Sequence, residues 1–161
     1  MSEKKKKLAI IATKGSLDWA YPPFILASTA AALDYEVQIF FTFYGLALLR
    51  KDVNLKVTPL GNTAMPMPMG MEKWFPVIGT TLPGMEALMS SMMKAKMKKK
   101  GVASVEELRD LCLEAEVKFV ACQMTVDLFD FEHDDLLDDV EYGGAATFLE
   151  FAETANITLY V

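Results

Sequence analysis

The residues of this chain best suited to chemistry are its two cysteines, Cys112 and Cys122. Cys122 closes the apolar run Lys118-Phe119-Val120-Ala121, which reads as a buried parallel strand, and Gln123-Met124-Thr125 after it reads as a helix start. A strand of an open α/β sheet delivers its last residue to the carboxyl edge, where ligands bind, and the next helix turns unpaired N–H groups toward that point. Those donors favour negative charge, and the thiolate is the reactive form of cysteine. Cys122 is therefore the candidate catalytic thiol.

Cys112 is the possible second thiol, and geometry argues against a disulfide. Its helix runs down from the carboxyl edge while the strand from Val117 climbs back, so the two cysteines differ in height by about 10 Å. Disulfides need Cα atoms within about 7 Å. Cys112 reads as a buried apolar residue, with a redox role as the alternative.

Every loop that follows a parallel strand opens on the same edge, so Lys14-Gly15-Ser16, Thr42-Phe43-Tyr44-Gly45 and Cys122-Gln123-Met124-Thr125 are expected to converge. Lys14 would lower the thiol pKa by its charge, Tyr44 would wall the pocket, and Thr125 or backbone N–H groups would bind an anionic sulfur species. The simpler reading makes Gly15 and Gly45 turn residues and leaves Lys14 in solvent. Gly15, Ser16 and Gln123 complete the possible supporting pocket.

Other groups invite weaker readings. Met65, Met67, Met69 and Met71 alternate with Pro66, Pro68 and Gly70, which suits either an extended docking strip for a partner or thioether binding of Cu(I). His133 sits among acids, the composition of a solvated loop, and no metal site is expected. Lys94, Lys96 and Lys98 to Lys100 read as a solvated helix end, with an acidic partner or peripheral membrane contact as alternatives. The chain has no Gly-x-Gly-x-x-G or Walker pattern, and no cofactor is called for. Its lysine cluster lacks interleaved aromatics and the net charge is −6, so nucleic acid is not an expected partner.

The elements that must position these groups follow from periodicity. At 161 residues and 52% hydrophobic content the chain fits one domain, 1–161, with a methionine- and proline-rich insertion at about residues 61–83. Strands are expected at 7–13, 35–41, 117–122 and 157–161, with a further edge strand at 55–60. Helices are expected at 18–33, 44–51, from Met85 to the lysine cluster, and after Ser104, where Glu107 completes a capping-box signature. One more follows Gly143-Gly144, with Phe148, Phe151, Ala152 and Ala155 on one face. Strands alternating with helices predict a mostly parallel sheet of about five strands, covered on both faces.

Charge is divided along the chain, since residues 101–161 carry 15 acids and 2 bases while residues 1–100 carry 7 acids and 14 bases. One end can attract the other or a different partner. The apolar stretch after the basic residues 4–7 is too short for a signal-peptide core, and no uncharged stretch reaches the roughly 18 residues of a membrane helix. A soluble cytoplasmic protein with reduced thiols is expected.

Several motifs occur in one order: Thr42-Phe43-Tyr44-Gly45-Leu46, the methionine-rich middle, Ala121-Cys122-Gln123-Met124-Thr125-Val126-Asp127 and Gly143-Gly144-Ala145-Ala146. Together they resemble the DsrE/DsrF-like sulfur-carrier family over nearly the whole chain, in the methionine-rich branch often labelled peroxiredoxin-family. The resemblance implies a three-layer flavodoxin-like or Rossmann-like fold and a homo-oligomer. It also implies a cysteine, here Cys122, that carries persulfide sulfur from a rhodanese-type donor to a TusA-like acceptor. A typical peroxiredoxin is not expected, because the Pro-x-x-x-Thr-x-x-Cys pattern precedes neither cysteine and only Arg50 and Arg109 could supply its arginine. The competing expectation is a methionine-rich interaction or Cu(I)-binding module without sulfur transfer.

Overall fold

A computed structural model describes residues 5–58, 79 and 81–161. Five strands, β1 (Lys7–Ala12), β2 (Glu36–Phe41), β3 (Lys118–Cys122), β4 (Val140–Gly143) and β5 (Ile157–Tyr160), form one sheet in the order β4-β3-β2-β1-β5. Every pairing is parallel. The helices are α1 (Leu17–Ala32), α2 (Met85–Lys99), α3 (Val105–Glu114), α4 (Gln123–Leu128) and α5 (Ala145–Ala152), with a 3-10 helix over Phe43–Leu49. The α/β expectation holds, and the chain folds into two compact units, residues 1–15, 19–53 and 105–161 in the first and 16–18 and 54–104 in the second.

In the first unit the register separates the two sheet faces. Ile10, Ile39 and Phe119 stand side by side on one, while Ile11, Phe40 and Val120 do so on the other. The first face packs under α1 and α3, where Phe24 lies 5.8 Å from Phe119 and 6.0 Å from Phe41, ring centre to ring centre. On the second, Phe148 of α5 meets Phe40 at 5.5 Å, and Phe151, Ala152 and Ala155 join it as the helical spacing predicts. Strands β1 to β4 advance in one direction and β5 returns to the far side of β1, so right-handed crossovers put α5 opposite α1 and α3.

Some expectations need correction. The helix expected at 44–51 is a 3-10 segment over Phe43–Leu49. Strand β4 was not foreseen; it is short, and its lead-in is tied to the 3-10 helix by Leu137 N–H to Leu49 O (3.0 Å) and Lys51 N–H to Asp135 O (2.9 Å).

In the second unit, residues 55–58 form no strand because side chains take their backbone donors. The Val57 N–H goes to Ser90 Oγ at 3.0 Å and the Thr58 N–H to Asp18 Oδ1 at 3.1 Å. Residues 59–60 lie outside the described set. No described helix is long and apolar enough to cross a membrane.

Candidate functional site

Cys122 ends β3 and serves as the N-cap of α4, with φ −68° and ψ 109°. Its side chain lies on the same sheet face as Phe40 and Val120, against Phe148, and only 5% of the residue is exposed. Its neighbour across the ladder is Gly143, so the adjacent strand presents no side chain beside the thiol.

Two threonines close the site, one just after β2 and one just after β3. Thr42 follows β2, Thr125 lies in the first turn of α4, and their hydroxyls meet at 3.2 Å. The Phe43 N–H also donates to Thr125 Oγ1, at 3.3 Å. That bond depends on Phe43 holding φ +49°, a left-handed conformation that costs a bulky residue about 1–3 kcal/mol. With its oxygen accepting from the backbone, Thr125 keeps its own proton to donate, to Thr42 Oγ1 or to another acceptor.

Burial pushes the Cys122 thiol up, but hydrogen bonding from the Thr125 hydroxyl and N–H, the Thr42 hydroxyl and the Met124 N–H outweighs it and brings the pKa below the ordinary value of 9.0. Hydrogen bonds to the charged form favour it, which sets the direction of the shift. Cys112 is the reverse case. It is fully buried, donates to the Phe24 carbonyl at 3.4 Å, and burial raises its pKa from 9.0 to about 12. Both cysteines are free.

The remaining predicted residues divide. Thr125 is in the site as expected. Gln123 instead donates to Asp127 Oδ1 at 2.8 Å on the surface. Lys14 sits over the Trp19 ring, 3.1 Å from its centre, and hydrogen bonds rather than its charge lower the thiol pKa. Ser16 belongs to the second unit, where its hydroxyl meets Thr58 Oγ1 at 3.2 Å. Tyr44 is 70% exposed and stacks on Phe129 at 5.7 Å, an outer ring rather than a pocket wall.

Gly15 and Gly45 permit close approach rather than a special turn. A Cβ on Gly15 would overlap the Tyr44 carbonyl, and one on Gly45 would overlap that of Ala12. The first two edge loops therefore do converge, by backbone contact.

Arg109 is buried and donates to the carbonyls of Leu48 (3.1 Å) and Arg50 (2.8 Å), while Arg50 lies over the Phe131 ring at 5.9 Å. Both arginines thus have structural partners. Met65, Met67, Met69 and Met71 lie outside the described residues, as does most of the expected insertion at 61–83. No cluster of three potential metal ligands occurs among the described residues. The sequence placed Thr42 at the edge but assigned it no role; its position directly after β2, next to β3, was the available signal.

Residues 4–160 match the family described as DsrE/DsrF/DrsH-like. The chain belongs to this family. Within it, the chain is 72% identical over 158 residues to the sulfur carrier protein DsrE2 of Allochromatium vinosum, covering 98% of this chain and 99% of the relative. It is 35% identical over 164 residues to the uncharacterized protein YrkE of Bacillus subtilis, with both chains covered in full. Among solved structures, the ychN protein from E. coli shares the fold, with a TM-score of 0.57 at 11% identity, over 98% of this chain and all of that one. In this DsrE/DsrF/DrsH-like chain, Cys122 stands at a strand end among hydrogen-bond donors that lower its pKa.

Proposed function

We propose that this protein is a sulfur carrier that holds persulfide sulfur on Cys122 and passes it to an acceptor thiol. The observation that carries the reading is the thiol at the end of β3, whose pKa is lowered by Thr125, Thr42 and the first N–H groups of α4. Family membership and similarity to a protein named a sulfur carrier support the same chemistry.

In loading, the Cys122 thiolate attacks the terminal sulfur of a persulfide or polysulfide. A new S–S bond forms at Cys122, the donor S–S bond breaks, and its electron pair leaves on the donor sulfur. Unloading is the same exchange run toward an acceptor thiolate. Neither step requires an external oxidant. The donors that stabilise the thiolate also stabilise Cys122 as the leaving group when sulfur departs.

We further propose a cytoplasmic homo-oligomer built on a single DsrE-like domain, with a rhodanese-type donor and a TusA-like acceptor. Intact-mass spectrometry after polysulfide treatment tests the central claim. Wild type and Cys112→Ser gain one sulfur and lose it to dithiothreitol, whereas Cys122→Ser does not load. Equal loading of Cys122→Ser overturns the assignment.

A further inference from the structure

Beside the thiol, the edge carries an apolar surface that the sulfur chemistry does not itself require. Phe129 stacks on Tyr44 and meets Phe43 edge-on at 6.3 Å. Met124 and Leu128, one turn apart on α4, are 61% and 58% exposed. The same stretch is strongly acidic: residues 127–141 contain eight Asp or Glu, no Lys or Arg, and one histidine. Asp127 and Asp130 directly bracket Leu128-Phe129, and both are exposed.

We infer that this surface docks the sulfur-exchange partner, and that the partner presents its cysteine on an apolar tip surrounded by basic residues. The inference rests on the carrier reading of Cys122 and names the partner's chemistry. Exposed aromatic and methionine side chains supply adaptable contact area, and an acidic border selects positive charge through encounter rate. In the step served, the acceptor thiolate attacks the outer sulfur of the Cys122 persulfide. The S–S bond breaks, its electron pair returns to Cys122 as thiolate, and the acceptor leaves as the persulfide.

Two synthetic peptides test this, each with one cysteine beside leucine, flanked in one by lysines and in the other by glutamates. Loading of Cys122 is first verified by mass spectrometry, and unloading rates are then measured by stopped flow. Each rate is divided by that peptide's rate with a small neutral disulfide, which removes differences in thiol reactivity.

The lysine peptide is expected to unload the protein about tenfold faster at low ionic strength, with the preference collapsing near 1 M salt, where charges are screened beyond about 3 Å. Asp127→Lys with Asp130→Lys reverses the preference, and the milder Asp127→Asn with Asp130→Asn abolishes it. Leu128→Ser slows the lysine peptide several-fold without changing unloading by dithiothreitol. Equal normalised rates on a loaded protein overturn the docking surface and leave the carrier reading standing. Failure of Cys122 to load removes both. Oligomer dissociation by Leu128→Ser, seen in analytical ultracentrifugation, also overturns the proposal, because it seats a second copy on this face.

Discussion

Burial and hydrogen bonding pull the Cys122 thiol in opposite directions, and the bonding prevails. Thr125 contributes twice, through its hydroxyl and its N–H, and its oxygen is itself held by the Phe43 N–H. Removing its hydroxyl while keeping its shape therefore isolates the effect. Thr125→Val should raise the Cys122 pKa and slow iodoacetamide alkylation at neutral pH, since less of the thiol is then ionised. Thr42→Val should act in the same direction. An unchanged pH–rate profile in both variants would remove the threonines from the mechanism.

At the scale of elements, the site depends on how closely two loops approach. Gly45 touches the Ala12 carbonyl, and this contact seats the 3-10 helix whose first residues carry Phe43 and Tyr44. Arg109 holds the other end of that helix through the Leu48 and Arg50 carbonyls. A methyl group at Gly45 must displace backbone rather than a side-chain tip. Gly45→Ala should thus cost about 1–3 kcal/mol in urea unfolding. It should also raise the Cys122 pKa, because Thr42 and Phe43 move with the segment. A variant of wild-type stability would show that the loops have room to part. Glycines at 15 and 45 were legible in the sequence as loop residues, but their reason was not. Contact between two backbones leaves no residue pattern beyond glycine itself.

For the whole molecule, the strand order puts the cysteines on different faces of the sheet. Cys122 packs with Phe40 and Phe148 under α5, whereas Cys112 bonds to α1 beside the Phe24, Phe41 and Phe119 cluster. The sheet itself separates them, a stronger barrier than the difference in height read from sequence. Peptide mapping after diamide treatment should find no Cys112–Cys122 disulfide in the folded protein. Cys112 should instead announce itself through alkaline stability. Its pKa is about 12 folded against an ordinary 9.0, so between those values the unfolded chain releases a proton that the folded chain keeps. The folded state then binds more protons, and stability falls as pH rises through that window. Cys112→Ala should flatten the fall by at most about 1.4 kcal/mol per pH unit. Equal slopes for the two proteins in urea melts at pH 9 to 11 would contradict the buried thiol.

The sequence alone determined the alternation of strands and helices, the position of Cys122 where β3 meets α4, and the apolar face of α5. These follow from local periodicity, which a short window of residues expresses completely. It misread residues 55–58 because Ser90 and Asp18, far along the chain, compete for their backbone donors. It missed β4, whose four residues pair only because β3 lies beside them. The donors that set the thiol pKa, the true contact of Lys14, and the sheet between the two cysteines were decided by tertiary structure. Each depends on where non-adjacent segments meet.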